Sequence, residues 1–328
     1  MRERSATMTP TAIGQTAEGP VVLWRDLGSL DLDQPFYRGT VETAQRLSGD
    51  PQVPFRAAPP LRTGLDALAE AAAADPGLPL AGLIFHMTHC GSTLISHALG
   101  SLPQILALGE PEAVADLATL AGTLPAGQGA AALRDLVGVL GRARRASQRQ
   151  VLIKAWSPVA CQIPLFREAF PATPRVFVYR DPVEVLVALL ESGGGLLALQ
   201  SDAARAASLL GLDGDRLGAM AAPEFAARAL ARICDAVVAA ADGACLVVDY
   251  DSLPQAIWQR IAPHFGIELD AGMREHLAQA AGRDAKRPGR AFRPDGAAKR
   301  ARASAEVRDA AARWVAPALE RVRALPRA

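Results

Sequence analysis

At 328 residues, half of them hydrophobic, the chain is long enough for one large domain with a substantial core. Lys and Arg total 35 against 34 Asp and Glu, a formal charge of +1, so no broad field draws nucleic acid or an acidic membrane and any anion binding must be local. The four cysteines, Cys90, Cys161, Cys234 and Cys245, lie far apart and share no metal-ligand spacing, which points to reduced thiols and not to a disulfide framework.

The N-terminus, MRERSATMTPTAIGQ, opens with charge but lacks the apolar run of a secretory signal, and no window approaches the roughly 20 apolar residues of a membrane span. These features lead us to expect a cytoplasmic protein with no membrane partner. Residues 1–75 carry Pro51, Pro54, Pro59 and Pro60 with weak periodicity, and read as an extension packed on a main domain of residues 76–328.

Within that domain, four apolar runs read as strands: Ala81 to Phe85, Val151 to Ala155, Arg175 to Tyr179 and Cys245 to Tyr250. Helical patterns follow each, over Ser92 to Gly100, Cys161 to Phe170, Pro182 to Glu191 and Pro254 to Phe265. Near-continuous apolar strands alternating with helices predict an α/β three-layer sandwich around a central parallel sheet, with ligands beyond the strands' carboxyl ends. A helical insert spans about 112–150, and an Ala-rich helix covers Pro223 to Ala241. After Gly282 the sequence turns basic, RDAKRPGRAFRPDGAAKRAR, before a last helix ending near Ala324.

The stretch LIFHMTHCGSTLISHAL, Leu83 to Leu99, has the layout of a phosphate-binding loop: strand, small-residue turn at His89-Cys90-Gly91, then a helix from about Ser92. The first N–H groups of such a helix lack intrahelical partners and carry the positive end of its dipole, so they favour an anion. Gly-Lys-Ser/Thr, the signature of a nucleoside triphosphatase, is missing. A second cluster, Tyr179-Arg180-Asp181-Pro182, places a guanidinium at a strand end, where it either binds a phosphate or pairs with Asp181 or Glu184 to hold the corner. His86, His89 and Cys90 complete no metal-ligand set, and no metal is expected.

Together these clusters resemble the sulfotransferase superfamily that uses 3′-phosphoadenosine 5′-phosphosulfate. His89-Cys90-Gly91-Ser92-Thr93 is similar to its 5′-phosphosulfate loop, and VFVYRDP with Arg180 to its 3′-phosphate motif. Asp249-Tyr250-Asp251-Ser252-Leu253, the following His264-Phe265-Gly266-Ile267 and the basic AKRPGR loop extend the resemblance over about residues 80–300. It implies that Cys90, Gly91, Ser92, Thr93 and Leu94 hold the phosphosulfate, while Arg180, Lys286, Arg287 and Arg290 hold the 3′-phosphate. His89 and Lys154 would stabilise the leaving phosphate, and Glu110 in Leu108-Gly109-Glu110-Pro111 would be the base.

Three positions depart from the family pattern. His89 stands where a Lys or Arg is usual, Ala188 replaces the serine eight positions after the motif arginine, and Trp156 takes the place of a catalytic histidine. Ser192 or the Lys286 to Arg290 group would then compensate for the lost hydroxyl. Read from the residues alone, Glu110 could instead cap the next helix, Lys154 could be a surface lysine and Trp156 could be core or border the acceptor pocket. The resemblance implies a sulfotransferase acting on a hydroxyl or amine of a small-molecule or peptide acceptor. A kinase-like phosphotransferase and a non-catalytic nucleotide-binding module are the alternatives.

Overall fold

The computed structural model describes residues 8–28, 30–32, 34–47, 59–284 and 295–326. Its centre is a parallel sheet of five strands in the order β5-β6-β4-β7-β8: β4 is Leu80–His86, β5 Ile105–Gly109, β6 Gln150–Lys154, β7 Arg175–Tyr179 and β8 Cys245–Asp249. Helices cover both faces, which explains why β4 and β7 are apolar without alternation: Leu83, Ile84, Phe85, Val176, Phe177 and Val178 are all buried. Burying each such side chain contributes about 1.5–3 kcal/mol. Phe85 also meets Phe166 edge to face, with ring centroids 5.4 Å apart.

The chain leaves β4 to build β5 and β6 on one side, then crosses back to build β7 and β8 on the other. Such a reversal opens a crevice at the carboxyl end of the central strand. The loop predicted to bind an anion lies there, between β4 and the helix Ser92–Gly100.

One strand was not anticipated. Ile105–Gly109 is β5, at the sheet edge beside β6, so the segment before the predicted insert belongs to the sheet. Ala107 and Gly109 break its apolar run, which passes at once into Glu110-Pro111, so it stands out less than the other five-residue strands. The insert itself consists chiefly of the helices Glu112–Leu120 and Gln128–Leu140. The stretch from Pro254 to Phe265 contains a π-helical turn at Ile257–Ile261 where a plain α-helix was expected.

The N-terminal residues form an antiparallel sheet, β1 Met8–Thr16, β2 Gly19–Asp26 and β3 Leu61–Thr63, with helices at Tyr37–Leu47 and Asp66–Ala74. Polar bonds join it to the insert: Ile13 N–H donates to Asp116 at 3.0 Å, and Arg144, in the loop after Gln128–Leu140, donates to Thr9 at 2.7 Å and to the Gly28 carbonyl at 3.1 Å. This attachment carries Pro35 and Phe36 onto the end of β5, where a Cβ on Gly109 would lie 2.3 Å from the Pro35 oxygen. No single described helix is long and apolar enough to cross a membrane.

Candidate active site

A cavity of about 530 Å³ opens at the carboxyl edge of the parallel sheet. His86 and Thr88 to Leu94 line it, with Glu110, Trp156, Arg180, Ser192 and Tyr250 among the others. The N-terminal segment contributes Phe36, whereas the insert of 112–150 supplies no wall residue among those described.

The loop is held in an unusual backbone shape. Thr88, His89 and Gly91 have φ of 81°, 47° and 88°, and a β-branched residue such as Thr88 rarely occupies that region. At Gly91 a side chain is excluded twice over, since a Cβ there would stand 2.7 Å from Leu253 Cδ1 and 3.0 Å from Tyr250 Cδ2. The turn of residues 249–253 therefore packs directly on this loop. The helix then starts at Ser92 with no side-chain cap, leaving its first-turn N–H groups at the cavity wall.

Cys90 lies in the loop at the cavity with its side chain turned into the core. It is fully buried, its Sγ donates to the Val178 carbonyl at 3.2 Å, and burial pushes the thiol up to about 11. Only its backbone can serve a ligand, and the same holds for the buried apolar side chain of Leu94. Ser92 and Thr93 bring hydroxyls to the wall.

Sheet register assembles the next pair. Lys154 stands opposite Ile84 of β4 on one side and Gly109 of β5 on the other, and the Glu110 N–H donates to the Lys154 carbonyl at 2.7 Å. A φ of 55° turns Glu110 so that its Oε1 accepts from Lys154 Nζ at 2.7 Å. Lys154 also donates to Thr93 Oγ1 at 3.3 Å and lies 4.5 Å from the centre of the Phe36 ring. It is wholly buried, so the surface-lysine alternative falls, and it sits behind Thr93 and Glu110 and not in the cavity wall itself. Pro111 is the N-cap of the next helix and no side chain caps it, which removes the capping alternative for Glu110. Burial alone would raise the Glu110 carboxyl, but the Lys154 ammonium and the neighbouring His86 outweigh it and hold the group down to about 2.

Of the two readings open for Arg180, the structure shows the pairing with Glu184. Its Nε donates to Glu184 at 2.7 Å, its Nη1 to the His89 carbonyl at 3.3 Å and its Nη2 to Asp295 at 2.7 Å. Tyr250 covers one face, with its ring centre 3.9 Å from the guanidinium carbon. Arg300 also pairs with Glu184, and Lys299 with Asp295 at 2.8 Å. The cluster couples the loop, the helix Pro182–Ser192 and the helix Gly296–Arg302. Asp181 caps the former through the Glu184 N–H. An ionic corner is thus built around Arg180, in which Glu184 is buried and Asp295 is the exposed carboxylate, and the guanidinium still lines the cavity.

His89 lies at the cavity with its Nε2 3.4 Å from Ser192 Oγ. Ser192 therefore stands in the site one helical turn beyond Ala188, which is buried. Trp156 borders the cavity, its ring facing Arg205 at 5.3 Å. Lys286, Arg287 and Arg290 lie outside the described residues. Sequence reasoning missed Phe36, Asp295 and Lys299, which reach the site from elements remote in the chain. Among the described residues no three His, Cys, Asp or Glu side chains converge as a metal-binding group.

Compared with solved structures, the chain is similar to several sulfotransferases. A sulfotransferase domain from the curacin biosynthetic pathway matches 64% of this chain and 80% of its own length, at 15% identity and a TM-score of 0.42. A Mycobacterium avium sulfotransferase matches 74% of this chain and 75% of its own, at 14% identity and a TM-score of 0.42. The sulfotransferase domain of the Synechococcus olefin synthase matches 73% and 95%, at 16% identity and a TM-score of 0.38. No family model and no curated protein matches the chain.

Proposed function

We propose that this protein transfers a sulfuryl group from 3′-phosphoadenosine 5′-phosphosulfate to a hydroxyl or amine of a small acceptor. The observation that carries this reading is the meeting of Lys154 with Thr93 at the helix N-terminus and with Glu110, 3.3 and 2.7 Å away. A cation from the neighbouring strand thereby stands where the loop lacks a lysine of its own, and a carboxylate stands beside it. One ammonium and a helix N-terminus suit a sulfuryl group, which carries less charge than a terminal phosphoryl group.

In this reading the N–H groups of residues 91–94 hold the phosphosulfate oxygens. Lys154 donates to Thr93 Oγ1, leaving the threonine hydroxyl proton to be donated to the anion, a relay strengthened by the charge behind it. His89 and Ser192 add polar contacts near the leaving phosphate. Arg180 exchanges Asp295 for the 3′-phosphate, with Lys299 adjacent.

The acceptor oxygen forms its bond to sulfur as the bond from sulfur to the bridging phosphate oxygen breaks, releasing adenosine 3′,5′-bisphosphate. Glu110 takes the acceptor's proton. A carboxylate held near 2 is a weak base, yet it suffices: once sulfur is attached, the protonated oxygen is far more acidic than any carboxylic acid. Four free thiols suit a reducing compartment such as the cytoplasm.

Titration calorimetry with adenosine 3′,5′-bisphosphate and with ATP-magnesium tests the donor. Binding of ATP-magnesium alone overturns the reading in favour of phosphoryl transfer. Sulfate transfer from radiolabelled donor into a metabolite extract, wild type against Glu110→Gln, tests the chemistry, and equal transfer by both removes Glu110 from it.

A further inference from the structure

His86 ends β4, is 3% exposed and lines the cavity, yet the reaction outlined above does not use it. One side of its ring is committed. The Thr88 N–H donates to Nδ1 at 3.0 Å, so Nδ1 carries a lone pair and the neutral ring holds its proton on Nε2. Burial lowers the ring's pKa, against the pull of Glu110, and so favours that neutral form.

On the other side Nε2 faces the Ala155 carbonyl and Glu110 and is bonded firmly to neither. Buried Nε2 has no hydrogen-bond partner and lies 3.5 Å from Glu110 Oε1, slightly too far for a hydrogen bond. That same oxygen takes Lys154 at 2.7 Å, and no described hydrogen bond reaches Glu110 Oε2. His86 thus touches two strained points, Thr88 with φ 81° and Glu110 with φ 55°, and strain of this kind persists only where the surroundings over-determine it.

We propose that His86 is a positioning residue for sulfuryl transfer: its Nδ1 holds the loop at Thr88, and its Nε2–H steers Glu110 so that Oε1 stays with Lys154 and Oε2 meets the acceptor. The role of Glu110 in this inference rests on the function proposed above. Contacts to reacting groups shorten when substrate closes a site, so the 3.5 Å gap is a donor held ready.

The two duties separate by substitution. His86→Asn keeps an acceptor near the place of Nδ1 but no longer reaches Glu110. His86→Gln extends a donor toward Glu110 but gives up the bond to Thr88. For Asn we expect adenosine 3′,5′-bisphosphate affinity within about twofold of wild type and slow hydrolysis of radiolabelled donor reduced about 10- to 100-fold. For Gln we expect affinity about tenfold weaker and hydrolysis at saturating donor within a few-fold of wild type. Loss of affinity and turnover in step in both variants overturns the proposal.

A second measurement needs neither variant to be active. In protein labelled with 15N-histidine, nuclear magnetic resonance identifies the tautomer of each ring. The His86 signal should show Nε2–H, and Glu110→Gln should shift that N–H while the Nδ1 pattern holds. An Nδ1–H tautomer, or an Nε2–H that ignores Glu110→Gln, overturns the proposal. Wild type that neither binds the bisphosphate nor hydrolyses the donor overturns sulfuryl transfer instead, and the tautomer and its response to Glu110→Gln then judge His86 alone.

Discussion

Replacing Lys154 with methionine keeps most of the side-chain volume and deletes a fully buried charge. Burial opposes ionisation of Glu110, yet its carboxyl is held from 4.5 down to about 2, chiefly by this ammonium. At about 1.4 kcal/mol per tenfold, that depression is worth about 3 kcal/mol in favour of the carboxylate. Glu110 keeps 21% exposure, so the variant can hydrate part of the stranded charge. In wild type, this contribution to stability is present above pH 4.5 and is lost as the pH falls from there through about 2. In Lys154→Met the direction reverses: burial lifts the carboxyl above its ordinary range, so the ionised form opposes folding at neutral pH and acid relieves it.

Urea unfolding at pH 7 should therefore show Lys154→Met destabilised by about 3 kcal/mol, with a smaller deficit at pH 5. Adding Glu110→Gln should restore about 2 kcal/mol, because removing both charges leaves none stranded. A carbon-13 titration of the Glu110 carboxyl should move its midpoint from about 2 to above 4.5. Additive single-variant effects, within about 0.5 kcal/mol, together with an unmoved midpoint would refute the ion-pair argument.

Gly91→Ala should weaken adenosine 3′,5′-bisphosphate binding at least about tenfold by calorimetry, because φ is 88° and the new methyl would press on Leu253 and Tyr250. Asp295→Asn removes the carboxylate that competes for Arg180, so the same ligand should bind a few-fold tighter; weaker binding would show that Asp295 supports the site and does not occupy it. Away from the cavity, Asp242 accepts two bonds from fully buried Arg175, at 2.9 and 2.7 Å. Asp242→Asn should cost about 2 kcal/mol in urea unfolding with nucleotide affinity unchanged, the partial exposure of Asp242 keeping the loss below that of a fully buried pair.

Much of the architecture could be read along the chain. Apolar runs without alternation announced β4, β6, β7 and β8 as strands buried on both faces, because a parallel sheet between helix layers has no polar side. The break at Gly91 located the start of the Ser92–Gly100 helix, since only the local pattern of small and apolar residues is needed for that. Edge strand β5 was less legible, because Ala107 and Gly109 interrupt its apolar run.

The site's chemistry depended on partners that sequence distance conceals. That Lys154 is buried, and that Glu110 turns to meet it, follows from the register of β6 between β4 and β5. The same holds for Arg180, whose strand-end position was plain but each of whose three nitrogens donates to a different partner, Glu184, His89 and Asp295, from separate elements. Phe36 comes to the cavity from an N-terminal sheet that is fastened to the insert through Asp116 and Arg144. Residue type and local spacing determined where the strand turns through a small-residue loop into a helix. Tertiary packing decided which charges face one another across about 3 Å, and over such distances in a low-dielectric interior it is the partner that sets what each group can do.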